Sequence, residues 1–108
     1  MKEREVKKVL QKGKPFFSYN IVFNRVPNRL GYSRFAIVVS GKSAKNAVIR
    51  NVYRRMYYEA CRPYIQKNLG DIACVVKTKT KLTGDSDDIH KIHSEILYLF
   101  DKKLGKNT

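Results

Sequence analysis

The sequence predicts an α+β sandwich of order α-β-β-α-β-α on a small mixed sheet. Two nearly unbroken apolar runs, residues 35–39 and 72–76, have the pattern of strands buried on both faces. A long segment of helical period separates them, so they pair in parallel through a β-α-β crossover. Residues 16–23, rich in aromatic and β-branched side chains, add a further strand. With 108 residues, 43% of them hydrophobic, the chain forms one domain spanning 1–108.

Residues 2–11 read as a short basic helix with Val6, Val9 and Leu10 as its apolar edge and Gly13 at its end. Pro15 opens an extended segment, giving one strand over 16–25, and Pro27, Asn28 and Gly31 mark the turn after it. Residues 32–40 form a central strand ended by Gly41. Ser43 or Asn46 caps a helix running from about 46 to 67, which Gly70 stops. Residues 71–77 form the next buried strand. The last helix starts within 85–88, where Asp85, Asp87 and Asp88 suit a helix N-terminus. It buries Ile89, Ile92, Ile96, Leu97, Phe100 and Leu104, and residues 105–108 are expected to fray.

Charge carries the first functional signal. Lys plus Arg number 23 against 9 Asp plus Glu, a net +14. No acidic residue occurs between Glu5 and Glu59. A solvated surface normally mixes both signs, so this one-sided run points to a polyanionic partner. Wound at about 100° per residue, the 47–66 helix has Val48, Val52, Met56, Ala60 and Tyr64 on a core arc flanked by Ile49, Tyr53 and Tyr57. The opposite arc carries Arg50, Asn51, Arg54, Arg55, Tyr58 and Arg62, with Lys42 and Lys45 just before the first turn. Glu59 is the only acid along the helix, so ion pairing within it cannot account for four arginines. Guanidinium forks hold phosphate oxygens and stack on exposed bases, and the helix N-terminus adds free backbone N–H groups. The surface is therefore read as nucleic-acid-binding.

Residues 40–55, SGKSAKNAVIRNVYRR, resemble the signature of the bacterial ribonuclease P protein component: a strand ending in Ser and Lys, then Ala-Val-x-Arg-Asn-x-x-basic-Arg. Lys42, Ala47, Val48, Arg50, Asn51, Arg54 and Arg55 stand at matching places. Residues 9–14 are similar to the end of that family's first helix. The resemblance implies a fold of the ribosomal-protein-S5-domain-2-like class with a left-handed β-α-β crossover, where chain chirality alone predicts a right-handed one. It also implies a non-catalytic subunit of a ribonucleoprotein. The arginine helix would touch the catalytic RNA, and a cleft between that helix, the first helix and the sheet would hold the 5′ leader of precursor tRNA. Magnesium ions would act with the RNA, and the protein itself would bind no cofactor. Two departures stand out. Val52 and Tyr58 occupy positions where the family usually has a basic residue and an arginine, although Tyr58 can stack on a base. Val6 and Leu10 stand where the first helix commonly offers aromatics, and Phe16, Phe17 and Tyr19 are candidates to compensate in the leader cleft.

No catalytic or metal site is expected in the protein. Phosphodiester hydrolysis needs metal-binding carboxylates or a positioned acid and base. Asp85, Asp87 and Asp88 suit helix capping, and although His90 and His93 share a helix face at i and i+3, Cys61 and Cys74 fall on core elements, which argues against a zinc site. Cys61 and Cys74 read as buried free thiols of a cytoplasmic protein. Neither a secretion signal nor a membrane span is apparent, and no small-molecule substrate or membrane partner is expected. The alternatives are a basic ribosomal or duplex-binding structural protein, and a free-standing metal-dependent nuclease relying on Asp87 or Asp88.

Overall fold

A computed structural model describes residues 1–104; the tail expected to fray, 105–108, lies outside the described residues. The elements are α1 (Glu3–Lys12), β1 (Lys14–Phe17), β2 (Ile21–Val26), β3 (Arg34–Val38), α2 (Ala47–Cys61), β4 (Asp71–Val76) and α3 (Ser86–Tyr98). A 3₁₀ turn, Arg62–Lys67, follows α2, and a π-helical turn, Leu99–Leu104, follows α3. The sheet order is β1-β2-β4-β3, with β3 and β4 parallel and the other pairs antiparallel. This is the expected α+β architecture on a mixed sheet, with one strand more than the sequence pattern suggested.

The extra strand comes from a break at Ser18-Tyr19-Asn20, which divides the expected 16–25 strand into a hairpin. No glycine or proline marks the turn. Instead Glu95 of α3 accepts bonds from the Ser18 hydroxyl (2.5 Å), the Asn20 backbone N–H (2.7 Å) and the Asn20 amide (2.6 Å). A second correction concerns β3, which lies at the sheet edge and is mostly half-buried, whereas β4 is the central strand. The third concerns the long helix. Pro63 has no N–H to continue the α-helical ladder, so α2 tightens at Arg62 into the 3₁₀ turn. That turn ends at Asn68 in a left-handed conformation (φ 55°). Gly70 serves the next bend: its φ is +96°, and a Cβ there would stand 2.5 Å from the Val26 carbonyl.

Strand alternation and register divide the sheet into two faces. Phe16, Phe23, Cys74 and Ile37 form one row across all four strands, on the face covered by α2 and α3. There Phe100 meets Phe23 and Phe35 edge-on at 5.0 and 5.8 Å, and Tyr64 of the 3₁₀ turn stacks on it at 4.2 Å. Such ring pairs contribute about 0.5–1.5 kcal/mol each beyond area burial. The opposite face carries α1, anchored by the buried Val9 and by Arg34. The Arg34 guanidinium grips Asp71 through two bonds (2.8 and 2.7 Å) and reaches Glu5 of α1 at 2.8 Å. Asn28 adds a bond to Asp71 at 2.7 Å. Beside α1 the next row of this face, Phe17, Val22, Val75 and Val38, is left partly uncovered, and Phe17 is 62% exposed.

Candidate nucleic-acid interface

α2 starts where the sequence suggests: the Asn46 side chain accepts a bond from the Val48 N–H at 2.8 Å, satisfying one free donor of the first turn. Its buried face is rotated from the expected arc. Tyr53, Tyr57, Ala60 and Cys61 are buried, Val52 and Met56 are half-buried, and Val48 is 69% exposed. The two large rings bury far more area than Val48 would, so they set which face turns inward.

That rotation sorts the predicted RNA-binding residues. Asn51, Arg54, Arg55, Tyr58 and Arg62 face solvent. Among the described residues, neither Arg54 nor Arg55 forms an ion pair with a carboxylate. Arg62 pairs with Glu59 at 3.3 Å, but both are exposed and such a pair contributes about 1 kcal/mol or less. Arg50 departs from expectation. It is half-buried, and its Nη1 donates to the Ala44 and Lys45 carbonyls at 2.6 and 3.0 Å. Its guanidinium thus clamps the loop that carries Lys42 and Lys45, both of which remain exposed. Tyr58 is 46% exposed, its ring edge-on to Tyr57 at 5.3 Å, and burial of its inner side raises its pKa.

The leader-cleft candidates separate as well. Phe16 is buried in the core and is removed from the set. Phe17 lies on the open row of the sheet, and Tyr19, 78% exposed, stands at the hairpin tip rather than on a strand. Two lysines outside the predicted set, Lys79 and Lys81, are exposed in the loop between β4 and α3 and extend the cationic surface. Lys81 donates from Nζ to the Lys42 carbonyl at 2.7 Å, joining the β4–α3 loop to the loop before α2. Only their alternation with threonine in Lys77-Thr78-Lys79-Thr80-Lys81 could have signalled them.

Of the carboxylates weighed for hydrolysis, Asp88 has a structural role. The Asp88 carboxylate accepts a hydrogen bond from the Tyr53 hydroxyl and pairs with Lys91 at 3.4 Å. Burial first, and this bond second, push the Tyr53 phenol up to about 12. Asp85 occupies the cap position of α3 without a side-chain cap bond. Burial pushes the Cys61 thiol up to about 12 and raises the Cys74 thiol well above its ordinary value, so both stay protonated. Among the described residues no three His, Cys, Asp or Glu side chains gather closely enough to hold a metal, and no helix is long and apolar enough to cross a membrane.

The sequence profile of the family described as Ribonuclease P matches residues 1–103. A ribonuclease P protein component of Petrotoga mobilis is 38% identical over 60 residues, 56% of this chain and 50% of the relative, so the match spans about half the length of that relative. The fold is similar to that of the Staphylococcus aureus RNase P protein, with a TM-score of 0.74 and 22% identity over 94% of this chain and 90% of that one. It is similar also to the Thermotoga maritima RNase P protein, with a TM-score of 0.72 and 26% identity over 89% and 88% of the two chains. The chain belongs to the ribonuclease P protein family.

Proposed function

We propose that this chain is the protein subunit of a ribonuclease P ribonucleoprotein in the cytoplasm, which promotes endonucleolytic removal of the 5′ leader from precursor tRNA. One observation carries the reading: α2 turns Arg54 and Arg55, unpaired with any carboxylate among the described residues, outward, while Lys42 and Lys45 stand exposed in the loop that leads into it. Arg54, Arg55, Arg62, Lys42 and Lys45 neutralise phosphates of the catalytic RNA. Asn51 contributes hydrogen bonds, and Tyr58 offers half of its ring for stacking. Arg50 acts by holding the Lys42–Lys45 loop in place. The single-stranded leader crosses the open sheet row, where Phe17 is the most exposed apolar side chain and Val22, Val75 and Val38 form the floor. The protein supplies charge neutralisation and positioning, while the RNA with its magnesium ions supplies the chemistry.

Reconstitution tests the proposal. Mixing the protein with a bacterial ribonuclease P RNA and precursor tRNA at low magnesium should restore 5′ cleavage that neither the RNA nor the protein gives alone. Absence of stimulation, together with co-purification in ribosomal particles, would favour a ribosomal protein instead. Cleavage by the protein alone, abolished in Asp87→Asn or Asp88→Asn, would identify a free-standing nuclease.

A further inference from the structure

The β1–β2 tip and the turn after β4 are locked together by bonds that leave one residue of each projecting. The Lys77 N–H donates to the Asn20 carbonyl at 2.9 Å, and Lys77 Nζ donates to the Ser18 carbonyl at 2.8 Å. The Thr80 hydroxyl donates to Asn20 Oδ1 at 2.9 Å, while Glu95 holds Ser18 and Asn20 from the helix side. Asn20 and Thr80 are buried by this arrangement. Between them stand Tyr19, the most exposed of the large apolar side chains among the described residues, and Lys79, whose ammonium lies 5.5 Å from the centre of the Tyr19 ring. The pinned tips fix the backbone on either side of Tyr19 and Lys79, and Lys79 meets one side of a ring that is otherwise largely exposed.

We infer that Tyr19 and Lys79 form a stacking site for a nucleobase of single-stranded RNA, separate from the open sheet row and joined to the α2 surface through Lys81 and Lys42. The inference rests on the RNA-binding reading above and adds a contact to it. An exposed ring in a cationic surrounding is what sequence-tolerant single-strand binding uses: the base stacks on the ring, and the adjacent ammonium meets the phosphate. Leu82 N–H to Ser43 carbonyl (2.9 Å) and Ser43 hydroxyl to Lys77 carbonyl (3.0 Å) tie the two loops side by side, so the surface is continuous from Lys79 to Lys42.

The chain contains no tryptophan, so Tyr19→Trp introduces a single indole reporter at the site. The full-length protein would be titrated with oligouridylate and with an abasic ribose-phosphate oligomer of equal length. The indole should be quenched by oligouridylate and not by the abasic strand. Tyr19→Leu should lose about tenfold in affinity for oligouridylate and nothing for the abasic strand. Lys79→Ala should weaken both equally and flatten the log-log salt slope by about 0.7. An unquenched indole at saturation, or equal oligouridylate affinity for Tyr19→Leu and the parent, would overturn the site. Binding of the catalytic RNA by the Arg54→Ala/Arg55→Ala protein reports on α2 separately, so failure of the helix reading is distinguishable from failure at Tyr19.

Discussion

Replacing Arg34 with methionine keeps most of the aliphatic stem and removes the guanidinium that ties α1 to the sheet. The change breaks two bonds to Asp71, at 2.8 and 2.7 Å, and one to Glu5. Asp71 is then left buried with the Asn28 amide as its remaining side-chain donor. A charge-assisted bond contributes about 1.5–3 kcal/mol. The Arg34 side chain keeps part of its hydration, so the two Asp71 bonds together should give about 2–3 kcal/mol, a drop of roughly 10 °C in Tm for a domain of this size. The loss should also depend on pH. Hydrogen bonding to Arg34 holds the folded Asp71 carboxyl below its ordinary range, and burial opposes this only in part. A backbone bond from Lys2, then Arg34, lowers Glu5 likewise. As pH falls, the unfolded chain therefore takes up these protons first. The stabilisation is complete above about pH 5 and fades as pH drops through the folded values. Urea denaturation of parent and Arg34→Met at pH 7 and at pH 3 should show the gap narrowing at the lower pH. A gap under about 0.5 kcal/mol at pH 7, or one unchanged at pH 3, would refute the reasoning.

Other perturbations separate structural from binding roles. The Tyr57 hydroxyl is fully buried and meets no geometrically sound hydrogen-bond partner among the described residues, the Cys61 thiol beside it being at best a weak one, so Tyr57→Phe should raise stability by about 1 kcal/mol in thermal unfolding, and a fall would mean that the thiol satisfies the hydroxyl. Arg50→Ala should lose stability as well as RNA affinity, because its guanidinium holds two loop carbonyls; an unchanged melting temperature would count against the clamp. Phe17→Ser should weaken binding of precursor tRNA to the reconstituted enzyme while leaving mature tRNA unaffected, and equal losses for both would remove Phe17 from the leader path.

The class of fold was legible because its signals are local. The apolar run of residues 72–76 became the buried centre of the sheet, and Asn46 capped α2 at the expected turn. What was not legible depends on contacts distant in sequence. The Ser18–Asn20 turn is made by Glu95, some 75 residues away, so residues that favour strands gave no hint of a break. The run of residues 35–39 looked like a central strand, yet β3 lies at the edge because β2 pairs with the other side of β4. On α2, a helical wheel gives every residue equal weight, whereas Tyr53 and Tyr57 outweigh Val48 and turn the helix. The same rotation brings Arg50 against the Ala44 and Lys45 carbonyls. Arg54, Arg55 and Arg62 are exposed as the helical wheel suggests, because they lie far enough around the helix to stay outside under either orientation.

The most direct test is the salt dependence of binding to a bacterial ribonuclease P RNA, measured for the parent and for Arg54→Ala/Arg55→Ala. With five phosphates neutralised, the parent should show a log-log slope of about −3.5 to −4.5. The double variant, folded to the same melting temperature, should flatten to about −2.1 to −2.7. Equal slopes and affinities for the two proteins would contradict the account.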